Sequence, residues 1–137
     1  MMKRIFAPFL CGLMLLSGGA VAKEVSPEKI AGATTITVEQ AKALFEKGVP
    51  FVDVRSDADW AAGWVPEAVH LNIKKNLTEA ALMKVAAKDK EVVIYCNGPS
   101  CLRSSKGCNK AVSWGWKKVY FFRSGFPSWK KAGNPVE

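Results

Sequence analysis

Glu91-Val-Val-Ile-Tyr-Cys-Asn-Gly-Pro-Ser-Cys-Leu-Arg-Ser-Ser105 is the most informative segment of this sequence. Its apolar run, Val92 to Tyr95, predicts a buried strand, and the turn-forming residues 97–99 end that strand. Cys96 is therefore expected at a strand end, and a helix is expected to follow from about Leu102 to Trp114. Unpaired backbone N–H groups at the start of a helix attract anions, and a Cys96 thiolate is such an anion. The alternative is that Cys96 is an inert strand cysteine, since free cysteine is among the most buried residue types.

The N-terminus carries the pattern of a signal peptide over residues 1–22. Two basic residues at positions 3–4 precede a mostly apolar run, residues 5–16, and the small residues Ala20-Val-Ala22 suit an export peptidase. The apolar run is shorter than the ~20 residues that span a bilayer, so no stable membrane anchor is expected after cleavage. We predict cleavage after Ala22, an exported and periplasmic protein, and loss of Cys11 with the peptide.

Strands and helices alternate through the remainder of the chain, which indicates an α/β fold. Such a fold places a mostly parallel sheet of about five strands between helices, and its sites lie at the carboxyl ends of strands. Residues 23–33 lack periodicity and are expected to form a loose leader before the domain at 34–137. Strands are predicted at 34–37, 51–54, 65–71, 91–95 and 118–122, and helices at 38–47, from Ser56 or Asp57 to about Gly63, and at 78–88, 102–114 and 126–131.

Charge and cysteine spacing exclude several classes of function. The chain carries 20 Lys and Arg against 12 Asp and Glu. These basic residues are spread over several segments, so nucleic-acid binding is disfavoured, whereas an anionic small substrate fits the charge. Cys96, Cys101 and Cys108 lack the paired short spacing of a zinc site, and the one histidine, His70, favours a structural role. No Cys-x-x-Cys-His haem motif is present, so neither a metal nor another cofactor is expected.

Three segments resemble the rhodanese-like sulfurtransferases. Phe51-Val-Asp-Val-Arg55, continued by the aromatic, glycine and proline positions up to Val69, resembles the first signature of that family. Residues 92–104 resemble its strand, cysteine loop and helix, and Ser124 to Val136 resemble its closing signature. The resemblance covers residues 34–137 in the right order. It implies a rhodanese-like three-layer α/β fold with helices on both faces of the sheet.

The resemblance also implies a reaction. In this family the loop cysteine accepts a sulfane sulfur from a donor such as thiosulfate, carries it as a persulfide and passes it to a thiol or cyanide-like acceptor. Cys96 would be that nucleophile, with its thiolate stabilised by backbone N–H groups of the loop. Asp53 and Arg55 would brace the site through hydrogen bonds. The implied substrate-binding loop comprises Asn97, Gly98, Pro99, Ser100, Cys101, Leu102 and Arg103.

The loop departs from the family pattern in its length. The interval from Cys96 to Arg103 is longer than is usual, so either the cradle is wider or the helix begins earlier, near Cys101. Arg103 matches an arginine that orients an oxyanion of the donor, and its alternative is a solvated residue in the first helical turn. Trp64 stands where the family often has histidine, and Ser124-Gly125 replaces a common Gly-Gly pair.

The second loop cysteine adds a redox possibility. Cys101 is close enough in sequence to bridge to Cys96, and could resolve a persulfide or sulfenate there by forming a disulfide. Its alternative is a small residue packed inward at the helix start. Cys108 is expected to face the core, and an odd number of cysteines leaves at least one thiol unpaired. Three hypotheses follow: a sulfurtransferase, a thiol–disulfide redox protein with a redox partner protein, or a binding module without chemistry.

Overall fold

The computed structural model describes residues 24–137, which form one parallel sheet with helices on both faces. The five strands lie in the order β1-β5-β4-β2-β3 and every neighbouring pair is parallel. In chain order the elements are β1 (Ala33–Thr35), α1 (Val38–Glu46), β2 (Phe51–Asp53), α2 (Asp57–Ala61), β3 (Val69–His70), α3 (Glu79–Val85), β4 (Glu91–Tyr95), α4 (Arg103–Ser113), β5 (Lys118–Phe122) and α5 (Gly125–Lys131). The predicted fold class is confirmed.

The central strand β4 shows why its sequence is continuously apolar. Side chains alternate between the two faces of a strand, and here both faces are covered. Val92 and Ile94 belong to a core cluster that includes Cys108 and Ala111 of α4. Val93 and Tyr95 belong to a second cluster with Ala41 of α1 and Trp129 of α5. The sheet is therefore buried between two helical layers, and its carboxyl edge is where the chain is free to form loops.

The largest differences in element length between the sequence analysis and the structure are at β3 and α3. The strand predicted over 65–71 is limited to β3, because the preceding turn contains Pro66 and Glu67, the latter with a φ of 64°. The helix predicted over 78–88 ends with Val85, because Ala86 has extended backbone angles. Both differences shorten an element at its connection and leave its core-facing residues in place.

The leader predicted over residues 23–33 was expected to be loose, but its described part, residues 24–33, packs against the domain. Ser26 and Ile30 are buried, and Ile30 belongs to the core cluster on the α4 face. Ala33 is already the first residue of β1. A single buried apolar side chain produces no periodicity, so the sequence pattern did not predict that Ile30 anchors this segment.

Two predictions concern the N-terminus and membrane. The predicted signal peptide, residues 1–22, with Cys11, lies outside the described residues. Within residues 24–137, no helix combines the length and apolar character needed to cross a membrane.

Candidate active site

Cys96 follows directly after the last residue of β4, at the carboxyl edge of the sheet. The residue is only 1% exposed and forms a disulfide with Cys101, whose Cα lies 6.5 Å from its own. The carbonyl of Cys96 accepts a hydrogen bond of 2.9 Å from the backbone N–H of Phe126 in α5. The nucleophile predicted from the sequence is thus at the expected strand end, fixed by its backbone and paired through its sulfur.

The loop after Cys96 is long because α4 begins only at Arg103. Leu102 is the N-cap of that helix, so the alternative of a helix starting near Cys101 is wrong. Cys101 N–H donates to the carbonyl of Gly98 at 3.0 Å, which closes a turn inside the loop. The carbonyl of Pro99 accepts a hydrogen bond of 2.7 Å from the N–H of Ser26, and Ser100 is exposed.

A buried ion pair connects β2 to this loop. Asp53 is fully buried and Arg55 is 3% exposed, and the Arg55 guanidinium donates to both Asp53 carboxylate oxygens. Arg55 Nη1 also donates to Asn97 Oδ1 at 3.2 Å, and its guanidinium lies 4.4 Å from the ring centre of Phe126. A charge removed from water needs such partners. These contacts hold Arg55 in one position, and Arg55 in turn orients the residue next to Cys96.

Asn97 is held from its other side by Asp59 of α2. Asn97 Nδ2 donates to Asp59 Oδ2 at 2.8 Å. Partial burial acts to raise the pKa of Asp59, but the hydrogen bonds from Asn97 and Ser56 outweigh it, so that pKa lies below its ordinary value. The carboxylate is therefore charged at neutral pH and remains an acceptor for Asn97.

The outer side of the loop borders a cleft of about 540 Å³, which we call the cationic cleft. Its lining residues are Ile73, Lys74, Cys101, Leu102, Arg103, Lys106 and Lys110. Four of these are cationic and none is acidic, so the cleft attracts anions. Cys101 and Arg103 are both partly exposed there. The structure therefore brings Arg103 to the outer side of the loop beside Cys101.

Two other residues considered in the sequence analysis, Cys108 and His70, are packed against the rest of the fold. Cys108 is fully buried as a free thiol in the core, as expected, and burial raises its pKa above the ordinary range. His70 is half-buried, its Nε2 lies 2.9 Å from the carbonyl oxygen of Arg55, and its ring stacks on Trp60. Trp64 stacks on the same Trp60 ring with centroids 4.6 Å apart.

The sequence analysis missed several residues that hold the loop. Asp59, Ser26 and Phe126 reach it through contacts between distant parts of the chain, which no local pattern reveals. The cationic cleft had a readable signal in part, because Arg103, Lys106 and Lys110 recur at helical spacing on α4. Across residues 24–137, no cluster of potential metal ligands is found.

Comparison with known proteins shows the family of this chain. The sequence profile of the Rhodanese-like domain matches residues 37–132. The thiosulfate sulfurtransferase GlpE of Pseudomonas syringae is 34% identical over 96 residues, covering 69% of this chain and 85% of that protein. A sulfurtransferase of Allochromatium vinosum is 33% identical over 88 residues, covering 64% and 78% respectively.

Solved structures show the same fold. The solution structure of a rhodanese-like domain from Anabaena superposes with a TM-score of 0.65 at 24% identity, covering 75% of this chain and 77% of that one. At that identity the likeness concerns the fold alone, while the profile match and the two sulfurtransferases extend it to sequence. The chain belongs to the family of rhodanese-like domains.

Proposed function

We propose that this protein is an exported sulfurtransferase that carries a sulfane sulfur on Cys96 as a persulfide. The observation that carries the proposal is the position of Cys96 at the carboxyl end of β4, at the start of a loop held by Arg55 and bordered by the cationic cleft. Two relatives named as sulfurtransferases support the same class of reaction. Export to the periplasm is part of the proposal and rests on the signal peptide predicted over residues 1–22.

The chemistry begins once the bridge to Cys101 is reduced. The Cys96 thiolate attacks the outer sulfur of an anionic donor such as thiosulfate, the sulfur–sulfur bond of the donor breaks, and sulfite leaves with the bonding electron pair. A thiol or cyanide acceptor then takes the outer sulfur and returns Cys96 as a thiolate. Arg103 and the lysines of the cationic cleft favour the approach of a dianionic donor, because opposite charges attract most strongly where water is partly excluded.

The test uses reduced protein from which the reductant has been removed. With the Cys101→Ser variant, thiosulfate and cyanide should give thiocyanate, and the additional change Cys96→Ser should abolish its formation. Trypsin is expected to release residues 91–103 as one peptide with Cys96 and Cys101. After loading without acceptor, the Cys101→Ser form of that peptide should be about 32 Da heavier by one sulfur atom. If neither turnover nor this adduct is observed with thiosulfate or with inorganic polysulfide, the proposal is overturned.

A second function is favoured by one observation, the Cys96–Cys101 disulfide. In this alternative the pair accepts two electrons from a redox partner protein or passes them on, and no sulfur atom is transferred. Equilibration in glutathione buffers of known potential, followed by mapping of the 91–103 peptide, measures the potential of the pair. Rapid dithiol–disulfide exchange in a protein that takes up no sulfane sulfur would support this alternative over the sulfurtransferase.

Predicted localisation needs its own measurement. Fractionation of cells, followed by N-terminal sequencing of the purified protein, should find it in the periplasmic fraction with Lys23 as its first residue. An uncleaved chain in the cytoplasmic fraction would remove export from the proposal and leave the sulfur chemistry to the assays above.

A further inference from the structure

The disulfide joins the predicted nucleophile to a cysteine that lines the cationic cleft. We propose that Cys101 is the resolving residue of the reaction: it attacks the Cys96 persulfide and releases the carried sulfur as sulfide. This inference rests on the proposed Cys96 persulfide and adds to it the identity of the sulfur product. The protein would then convert sulfane sulfur to sulfide by using its own two thiols as the reductant.

The geometry supports this step because the bond to be formed is the bond present in the structure. The two Cα atoms lie 6.5 Å apart, within the range that a disulfide spans without movement of the backbone. Both backbones are fixed in the loop, that of Cys96 by Phe126 and that of Cys101 by Gly98. Two groups held in this way react with a high effective concentration, which favours the intramolecular thiol over an acceptor from solution.

Burial favours the same outcome. Cys96 is 1% exposed in the bridged form and Cys101 lies beside it, so a Cys101 thiol reaches the Cys96 sulfur with less movement than an acceptor from solution. The lysines and Arg103 of the cationic cleft place positive charge beside Cys101, whose thiolate is the attacking species. Within residues 24–137, Cys108 is the other cysteine, and it is buried in the core as a free thiol.

The step is balanced in atoms and electrons. The Cys101 thiolate attacks Sγ of Cys96, the bond between that atom and the outer sulfur breaks, and the outer sulfur leaves as hydrosulfide with the electron pair. The proton on the hydrosulfide is the one carried by the Cys101 thiol or the persulfide before reaction. The sulfane sulfur is reduced by two electrons, and the two thiols are oxidised to the disulfide.

Return to the reduced state needs an external dithiol. Because Cys101 is the partly exposed member of the pair, we expect the incoming thiolate to attack its sulfur, with Cys96 leaving as the thiolate. The second thiol of the reductant then displaces Cys101, and the reductant leaves as a disulfide. One dithiol is consumed for each sulfide released.

The experiment is a single turnover of the full chain in the absence of any reductant. Reduced wild type, Cys101→Ser, Cys101→Ala and Cys108→Ala are each treated with thiosulfate or, as a second donor, inorganic polysulfide. Sulfide is measured directly in the reaction mixture against the same donor without protein, and the 91–103 peptide is weighed without reduction. Circular dichroism confirms that each variant is folded, and the two substitutions of Cys101 guard against failure of one of them.

For wild type and Cys108→Ala we expect a peptide about 2 Da lighter than the dithiol form, which marks the bridge, and about one sulfide for each Cys96 oxidised. Both Cys101 variants should keep the adduct about 32 Da heavier and release at least about tenfold less sulfide. A wild-type protein that keeps its adduct with Cys101 free would overturn the resolving role while leaving the persulfide in place. Absence of the adduct from both Cys101 variants with both donors would overturn the persulfide itself.

Discussion

Replacement of Gly125 by alanine should disturb the Cys96 loop, because α5 begins against the backbone of that loop. Gly125 is the first residue of α5 and has a φ of 62°, a conformation that L side chains rarely adopt. A Cβ atom at this position would lie 2.9 Å from the carbonyl carbon of Cys96 and from the N of Gly98, and closer still to the Cys96 oxygen. Backbone atoms cannot rotate away, so the loop or the helix has to move.

The magnitude follows from comparison with Gly133. That residue has a φ of 80°, and a Cβ there would meet no heavy atom within 4 Å. Both substitutions incur the cost of a left-handed alanine, about 1–2 kcal/mol. Gly125→Ala adds a steric overlap in a packed region, which costs about 1–3 kcal/mol more. We therefore expect Gly125→Ala to lower the free energy of unfolding by about 1–3 kcal/mol more than Gly133→Ala.

Urea unfolding followed by tryptophan fluorescence measures the two free energies, since Trp116 and Trp129 are buried. The rate of alkylation of Cys96 in the reduced proteins measures the accessibility of its thiol, which depends on the position of the loop. We expect Gly125→Ala to change this rate by about tenfold, the equivalent of about 1.4 kcal/mol, and Gly133→Ala to leave it unchanged. Equal free energies within about 0.5 kcal/mol, together with equal alkylation rates, would refute the argument that close approach at Gly125 fixes the loop.

Three further predictions concern a buried ion pair, a core thiol and an exposed carboxylate. Arg55→Ala leaves the buried Asp53 carboxylate without its partner, so the free energy of unfolding in urea should fall by about 3–5 kcal/mol, and a loss below about 1 kcal/mol would contradict this. Burial raises the pKa of the Cys108 thiol, so iodoacetamide at about pH 8 should label it only after unfolding, and equal labelling of folded and unfolded protein would contradict this. The hydrogen bond from Asn72 lowers the pKa of Asp57, so its stabilisation is present above the unfolded-state pKa and is lost as pH falls through the folded-state pKa. Thermal melts between about pH 5 and about pH 2 should show a smaller loss of stability for Asp57→Asn than for wild type, and parallel curves would contradict this.

Local sequence predicts best those elements whose ends are set by neighbouring turn-forming or charged residues. Strands β4 and β5 have the predicted bounds, because apolar runs end at a turn or a charged residue in each case. Helix α4 is one residue shorter than predicted at each end. Leu102 is its N-cap, without a side-chain hydrogen bond, and Trp114, before Gly115, is its C-cap. Cys108 faces the core because helical spacing puts it beside Ala111.

The surroundings of Cys96 could be predicted only in part. The strand end, the loop and the possible pairing with Cys101 follow from positions close together in the sequence. The sequence left open whether Cys101 bridges to Cys96 or packs inward, since both outcomes suit a small residue at a helix start. The contacts from Ser26, Asp59 and Phe126 join segments far apart in the chain, and their existence depends on how the whole sheet is assembled.

The disulfide is well placed for reversible chemistry because so little of the fold depends on it. It closes a loop between residues only five apart, and cross-linking so short a loop stabilises a protein by about 2 kcal/mol through the entropy of the unfolded chain. Cys96 and Cys101 both pack in one core cluster, the second cluster contains neither, and the hydrogen bond from Phe126 to the Cys96 carbonyl does not involve sulfur. Reduction should therefore free the two thiols without unfolding the domain. A cysteine that has to alternate between thiolate, persulfide and disulfide needs this combination of a fixed backbone and a changeable sulfur.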